Sequence, residues 1–290
     1  MNLGLGTVQF GLPYGISNRS GQVPADEAKR ILQIAESSGL KVVDTAAAYG
    51  DSETVLGSRL VPQHNFSIVT KTLPLKTDRV RPADVVKVKA AFHNSLHNLG
   101  QASVYGLLVH HAVDLLIPGG EQLYALLQRW KSEGMVRKIG VSVYDKEEAV
   151  YLFDRYEFDI VQLPLNVFDQ RFVRDGTLRQ LYASGVEVHV RSAFLQGLLL
   201  MPSSNLPPHF ESLRKHYMAY LAELENAGMS ALTGALGYFH DRPEVSTVLV
   251  GVESSAQLQE CLNAVRHRPT IDFTQFAVDD PQMLDPRLWV

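Results

Sequence analysis

A closed (β/α)₈ barrel is the architecture this 290-residue sequence predicts, and three observations carry the prediction. Short β-branched runs alternate with longer segments of helical period along the whole chain, giving eight strand–helix pairs. Eight such units in under three hundred residues, joined by right-handed crossovers, match the size of a TIM barrel. The rival α/β fold, an open doubly wound sheet, normally carries a glycine-rich fingerprint after its first strand. Here Gly4-Leu5-Gly6-Thr7-Val8-Gln9 does not read GxGxxG.

The strand runs are Leu3–Thr7, Lys41–Thr45, Phe66–Lys71, Tyr105–His110, Lys138–Val143, Ile160–Leu165, Glu187–Ser192 and Thr247–Gly251. Each is short and mostly apolar, as a strand covered on both faces should be. Between them lie helical stretches. Asp26–Ser38 opens near Pro24 and stops before Gly39, and Asp84–Leu99 stops before Gly100, placing proline near a helix start and glycine past a helix end. Glu121–Ser132, Lys146–Tyr156, Gly176–Ala183 and Ser255–Val265 follow the same period. Two features exceed a bare barrel. Ser212–Asn226 and Ser230–His240 supply an extra helix after strand seven, and Arg268–Val290 forms a polar, proline-containing C-terminal tail. Both are expected to shape the mouth of a site on a single domain spanning residues 1–290.

Composition narrows the function classes. Hydrophobic residues make up 46% and charged residues 20%, ordinary globular usage that excludes disorder and fibres. A chain of this length removes roughly 75% of its unfolded surface from water. Lys plus Arg total 27 against 31 Asp plus Glu, with no basic stripe to track a phosphate backbone, so nucleic acid is not an expected partner. No apolar run approaches the ~20 residues of a membrane helix. The single cysteine, Cys261, cannot form an internal disulfide, and Met1–Gly11 lacks the pattern of a secretion signal, so the expected compartment is cytoplasmic. No heptad or exposed apolar edge indicates an oligomeric state.

In such a barrel, chemistry belongs on the C-terminal ends of the strands and in the loops that follow. Reading only those ends gives Asp44 and Tyr49 after strand two, Lys71 at the end of strand three, and His110 with His111 at the end of strand four. A phenol with an ordinary pKa near ~10 is a poor acid at pH 7, and an adjacent ammonium is expected to lower it. Lys71 would tune Tyr49, Asp44 would balance Lys71, and a neutral His110 would donate a hydrogen bond to a carbonyl oxygen. A metal site at His110 and His111 is not expected, since adjacent strand residues point to opposite faces and no third ligand is suitably spaced.

The stretch Asp44-Thr45-Ala46-Ala47-Ala48-Tyr49-Gly50-Asp51-Ser52-Glu53 with Leu56-Gly57 resembles the signature of the aldo-keto reductases. Thr70-Lys71, Leu107-Leu108-Val109-His110 and Gly134-Met135-Val136-Arg137-Lys138-Ile139-Gly140-Val141-Ser142 agree with it, and the match runs from Gly4 to about Ala264. The resemblance implies that Tyr49 is a general acid, that Asp44 and Lys71 tune it, and that His110 orients the carbonyl. It also implies a nicotinamide cofactor, NADP(H) or NAD(H), as hydride source. Cofactor contacts carried over with it are Gly6, Thr7, Asp44, Ser142, Gln162, Arg191 and Ser192. The loop Phe194-Leu195-Gln196-Gly197-Leu198 would lie over the pyrophosphate, and Gly251, Val252, Glu253, Ser254, Gln257, Glu260 and Cys261 would surround the adenosine.

The departures from the family pattern are specific. Arg191 stands where an aromatic ring commonly stacks on the nicotinamide. Two readings remain: a stacked guanidinium, or an internal ion pair with Glu187, because residues 187, 189 and 191 share one strand face. Val143 replaces a common Asn, and Cys261 another. Glu253 and Gln257 occupy positions where members preferring NADPH usually carry Arg or Lys, which keeps NAD(H) open beside NADP(H). A small carbonyl or sugar-like substrate would meet aromatic walls from Phe10, Tyr14, Tyr144, Phe168 and the tail near Trp289, with His111 either at the substrate or covering the barrel. Two other readings keep the barrel. One is a nicotinamide-binding regulatory, redox-sensing module with little turnover. The other is an aldolase using Lys71 as a Schiff-base lysine.

Overall fold

The computed structural model describes residues 1–61 and 63–289; Val290, the end of the expected tail, lies outside them. Eight parallel strands close in sequence order, and the last pairs back with the first. They are β1 (Leu3–Gly6), β2 (Val42–Asp44), β3 (Ser67–Lys71), β4 (Val104–Val109), β5 (Val136–Ser142), β6 (Ile160–Pro164), β7 (Glu187–Arg191) and β8 (Thr247–Gly251). Their bounds fall within two residues of the runs read from sequence. Closure satisfies the backbone of every strand from both sides, leaving no sheet edge.

Around the strands lie α1 (Ala25–Ser37), α2 (Ser52–Arg59), α3 (Pro82–Leu99), α4 (Glu121–Ser132), α5 (Lys146–Arg155) and α6 (Thr177–Ala183). The expected pair after β7 is present as α7 (Arg214–Asn226) and α8 (Ala231–Gly237), and α9 (Ser255–Ala264) follows β8. Helix α3 shows why such segments start and stop where they do. Pro82 opens it, the Arg81 N–H donates to Asp84 Oδ2 at 3.1 Å, and Gly100 ends it at φ 64°. Among the α-helices longer than one turn, α2 is absent from the sequence reading. Residues Ser52–Arg59 show little apolar stripe because Gly57 interrupts it; a Cβ there would lie 2.1 Å from the Asn98 carbonyl oxygen at the end of α3.

Apolar residues form two buried layers, as a packed barrel requires. Val42, Val69, Leu108, Ile160 and Leu249 form one cluster, with Tyr105 against it. A larger one includes Leu5, Ile31, Phe92, Trp130 and Leu152. Glu187, at the start of β7, accepts hydrogen bonds from Lys138 and from the Tyr105 hydroxyl, and meets His189 Nε2 at 2.8 Å. These partners hold its carboxyl near a pKa of about 2 despite the opposing effect of burial. Arg191 is not among them, so the expected alternative of an Arg191–Glu187 pair is overturned.

The tail returns over the barrel. Val278 N–H donates to the Phe168 carbonyl at 2.8 Å, Gln170 Nε2 donates to the Phe273 carbonyl at 2.7 Å, and the Arg287 guanidinium sits 3.7 Å from the Tyr144 ring centroid. No helix among the described residues is long and apolar enough to cross a membrane.

Candidate active site

Because the strands are parallel, their C-terminal residues share one rim. Gly6, Asp44, Lys71, Ser142, Arg191 and Gly251 each end a strand, and His110 follows β4 by one residue. All seven line a cavity of about 630 Å³. Lys71 and Asp44 are 1% and 4% exposed, and Lys71 Nζ donates to Asp44 Oδ2 at 2.6 Å and to the Thr45 carbonyl at 3.0 Å. Gln162 Nε2 donates to the other carboxylate oxygen, Oδ1, at 2.7 Å. Thus two of the three ammonium donors are engaged and both Asp44 oxygens are matched, and Asp44 opposes the lowering of the Lys71 pKa that burial causes.

Tyr49 hangs over this pair on the turn after β2. Lys71 Nζ lies 4.9 Å from its ring centroid, and the His110 ring meets it edge-on at 5.7 Å. The position depends on two glycines in close approach: a Cβ on Gly11 would lie 1.8 Å from the Tyr49 carbonyl oxygen, and Gly50 takes φ 56° with its Cβ direction aimed at the Gly11 carbonyl. The direction of the tuning differs from the sequence expectation. Burial, and next the charge of Asp44, push the phenol above its ordinary value. Tyr49 therefore holds its proton. Burial first, and then the Lys71 charge, push the His110 imidazole down to about 3, so it is neutral at pH 7. Its Nδ1 is buried without a hydrogen-bond partner.

The remaining expected cofactor positions divide cleanly. Gly6, Thr7, Ser142, Gln162, Arg191, Ser192, Phe194, Gln196, Gly197, Gly251, Val252, Glu253, Gln257, Glu260 and Cys261 line the cavity with the tetrad. Leu195 and Leu198 do not; both are fully buried in the apolar core. Ser254 also faces elsewhere, its hydroxyl accepting from the Gln257 N–H at 3.2 Å as the N-cap of α9. Burial, then Glu260, pushes the Cys261 thiol up to about 12.

Of the expected substrate walls, Tyr14 and Tyr144 line the cavity, whereas Phe10 and Phe168 are fully buried and line nothing. Phe168 packs edge-on against Tyr217 and Tyr220 of α7 at 6.0 and 5.6 Å, an apolar contact the sequence could not assign. Trp289 lies against Phe210. His111 packs against His110 at 5.3 Å and is not part of the cavity wall. Arg191 sits 3.9 Å from the Tyr144 ring centroid, with Arg287 over the same ring, and donates to the Val143 carbonyl at 3.0 Å.

Residues missed by sequence reasoning include Gln9, Ser17, Leu200 and Ser230 to Leu232, which also line the cavity. Gln9 Oε1 is buried and unpartnered. The turn after β7 is built from non-glycine residues in left-handed conformation, Ser192 (φ 59°), Leu195 (φ 47°) and Gln196 (φ 54°), and such strain gathers at ligand clamps. The Gln196 carbonyl accepts from the Ile16 N–H at 3.1 Å, so this turn is joined to the loop after β1. These features fit a dinucleotide: a cleft within the usual ligand-site range of about 300–1,000 Å³, unpartnered buried polar atoms at Gln9 and His110, and a strained backbone turn on its wall.

Comparison with known proteins agrees with this geometry. The sequence model of the Aldo/keto reductase family matches residues 2–277. The L-galactose dehydrogenase of Arabidopsis thaliana is 27% identical over 285 residues, covering 92% of this chain and 86% of that one. Among solved structures, an aldo-keto reductase from Bacillus halodurans in its holo form superposes with a TM-score of 0.74 at 20% identity, covering 93% of this chain and 88% of that one. The glycerol dehydrogenase of Gluconobacter oxydans gives 0.71 at 22%, covering 92% and 87%. Those two likenesses establish the shared barrel, and the family match over nearly the whole sequence establishes the membership. The chain belongs to the aldo/keto reductase family, and it is an NAD(P)-dependent oxidoreductase.

Proposed function

We propose that this protein reduces a small aldehyde or ketone, or oxidises the matching alcohol, with Tyr49 as general acid, His110 as the carbonyl-orienting group and Asp44 and Lys71 as the pair that positions and balances them. One observation carries the reading: a protonated phenol, a neutral imidazole and a buried ion pair border the same cavity. The nicotinamide, when bound, supplies the hydride. Neutral His110 donates a hydrogen bond to the substrate oxygen, which a protonated imidazole beside Lys71 would do only against charge repulsion. As negative charge develops on that oxygen, the Tyr49 proton moves to it, and the Lys71 ammonium stabilises the phenolate left behind. Gln162 and the Thr45 carbonyl hold Asp44 and Lys71 in place throughout.

For the substrate, we infer a small polyhydroxylated or sugar-like carbonyl compound. Tyr14 offers an aromatic face and Gln9 and Arg191 offer polar atoms on the same wall, and one relative is by name a dehydrogenase of a sugar. Tyr49→Phe tests the assignment. It should reduce kcat about 10²- to 10⁴-fold, the usual contribution of a positioned proton donor. Coenzyme affinity, followed by quenching of tryptophan fluorescence, should change less than about twofold, since the ring and its packing remain. An unchanged kcat removes Tyr49 from the mechanism.

A further inference from the structure

We propose that the end of the cavity at the β8–α9 turn selects NAD(H) over NADP(H), with Glu253, Glu260 and Glu27 as the residues that reject a 2′-phosphate. The inference rests on the reductase reading above for the placement of the hydride-donating ring beside Tyr49. The cavity wall continues from the tetrad past the Ser192–Gly197 turn to Gly251, Glu253, Gln257 and Glu260, so a dinucleotide with one end at Tyr49 has its adenosine there.

The start of a helix is ordinarily a good place for a phosphate, because its first N–H groups are unpaired and its dipole is positive. Here the chain fills two of them itself, those of Ser255 and Gln257, and engages the Glu253 N–H just before the helix. Glu253 N–H donates to Gln257 Oε1 at 2.7 Å, Gln257 N–H to Ser254 Oγ at 3.2 Å, and Ser255 N–H to Glu27 Oε1 at 2.5 Å. Glu27 comes from the first turn of α1 and places a carboxylate oxygen where an anionic ligand's oxygen would sit. The hydrogen bond from Ser255 holds that carboxyl at about 2, so it is ionised throughout the neutral range. Arg30 meets its other oxygen at 2.5 Å and offsets much of its charge, so Glu27 acts here chiefly by occupying the Ser255 N–H.

Charge on the cavity wall points the same way. Glu253 and Glu260 line this end, whereas the Lys and Arg side chains of the wall, among the described residues, are Lys71 and Arg191 at the tetrad end. A 2′-phosphate, carrying about −1.5 to −2 charges at pH 7, would meet carboxylates and a helix start whose Ser255 and Gln257 N–H groups are already bonded to side chains. A ribose 2′-hydroxyl carries no charge and can donate a hydrogen bond to a carboxylate. The amino acid sequence suggests the Glu253, Gln257 and Glu260 parts of this arrangement and not Glu27. Glu27 enters through a contact spanning 228 residues.

Isothermal titration of the whole protein with NADH and with NADPH, without any carbonyl substrate, tests the proposal. NADH should bind at least about tenfold tighter, the scale of one like-charge contact near a protein surface. Glu253→Arg should narrow or invert that ratio. Glu27→Ala frees the Ser255 N–H, and should raise NADPH affinity several-fold with little change for NADH. Thermal unfolding of each variant confirms that it is folded. Equal affinities, tighter NADPH, or a ratio that neither folded variant moves would overturn the selection while leaving the reductase reading intact. Binding of neither coenzyme would overturn the reductase reading, and this proposal with it.

Discussion

Asp44→Asn isolates the energetics of the buried pair, because asparagine keeps the shape and still offers an oxygen to Gln162 Nε2. It leaves the Lys71 ammonium, 1% exposed, with the Thr45 carbonyl at 3.0 Å as its remaining close acceptor. Removing one partner of such a pair costs about 3–5 kcal/mol, since an uncompensated charge stays in the interior. At roughly 2 °C per kcal/mol for a chain of this size, the melting temperature should fall by about 6–10 °C at pH 7. The pH dependence follows from Lys71. Burial lowers its folded-state pKa while Asp44 opposes that fall, so the substitution lowers it further. Between that depressed value and the unfolded value near ~10.4 the unfolded chain binds more protons, so stability rises with pH. The deficit against wild type should therefore shrink from pH 7 to pH 9.5, as Lys71 deprotonates. Asp44→Asn combined with Lys71→Met should lose less than the two single losses added together. Scanning calorimetry across pH checks all three points. A drop under about 2 °C at pH 7, or a deficit independent of pH, would refute a charged, desolvated pair.

Two other titrations follow from the same structure. With His110 held near 3 by burial and by the Lys71 charge, the rate profile should show no inflection near the ordinary histidine value between pH 5 and 8. A step near ~6.5 that disappears in His110→Gln would show the imidazole to be charged. Asp114 behaves oppositely: burial raises its carboxyl to about 6 against the pull of the Leu75 N–H at 3.0 Å, and its Oδ1 has no partner. Its folded pKa exceeds the unfolded one, so the folded state loses stability as pH rises from about 4 to about 6. Asp114→Asn keeps an acceptor for Leu75 and removes the ionisation, and should stabilise the protein by about 1–2 kcal/mol at pH 7 and by nothing at pH 4. A loss at pH 7, measured by chemical unfolding, would count against this account.

Much of the site was legible in the chain because it is a property of strand ends. A strand's terminus is set by a local pattern, and parallel closure carries every such terminus to one rim, so Asp44, Lys71 and His110 could be gathered without coordinates, whereas Ser142 and Arg191 came from the family resemblance. The same reasoning failed for aromatic residues. Phe10 and Phe168 lie in the segments that follow β1 and β6, as wall residues would, but the direction of such a side chain depends on what packs against it, here Tyr217 and Tyr220 in the case of Phe168.

The sequence by itself determined the eight-fold alternation, the closed barrel and the residue types converging on its mouth, since period and punctuation are local and repeat. Only the tertiary structure decided which charges meet. Three residues of β7 share a face, yet Glu187 turns to Lys138 and His189 while Arg191 stacks on Tyr144. The Tyr49 phenol is raised first by its burial and next by the Asp44 charge, and the Ser255 N–H at the α9 start is taken by a carboxylate from α1. Electrostatic effects depend on distance and burial, and in a closed barrel those are fixed by partners far apart along the chain.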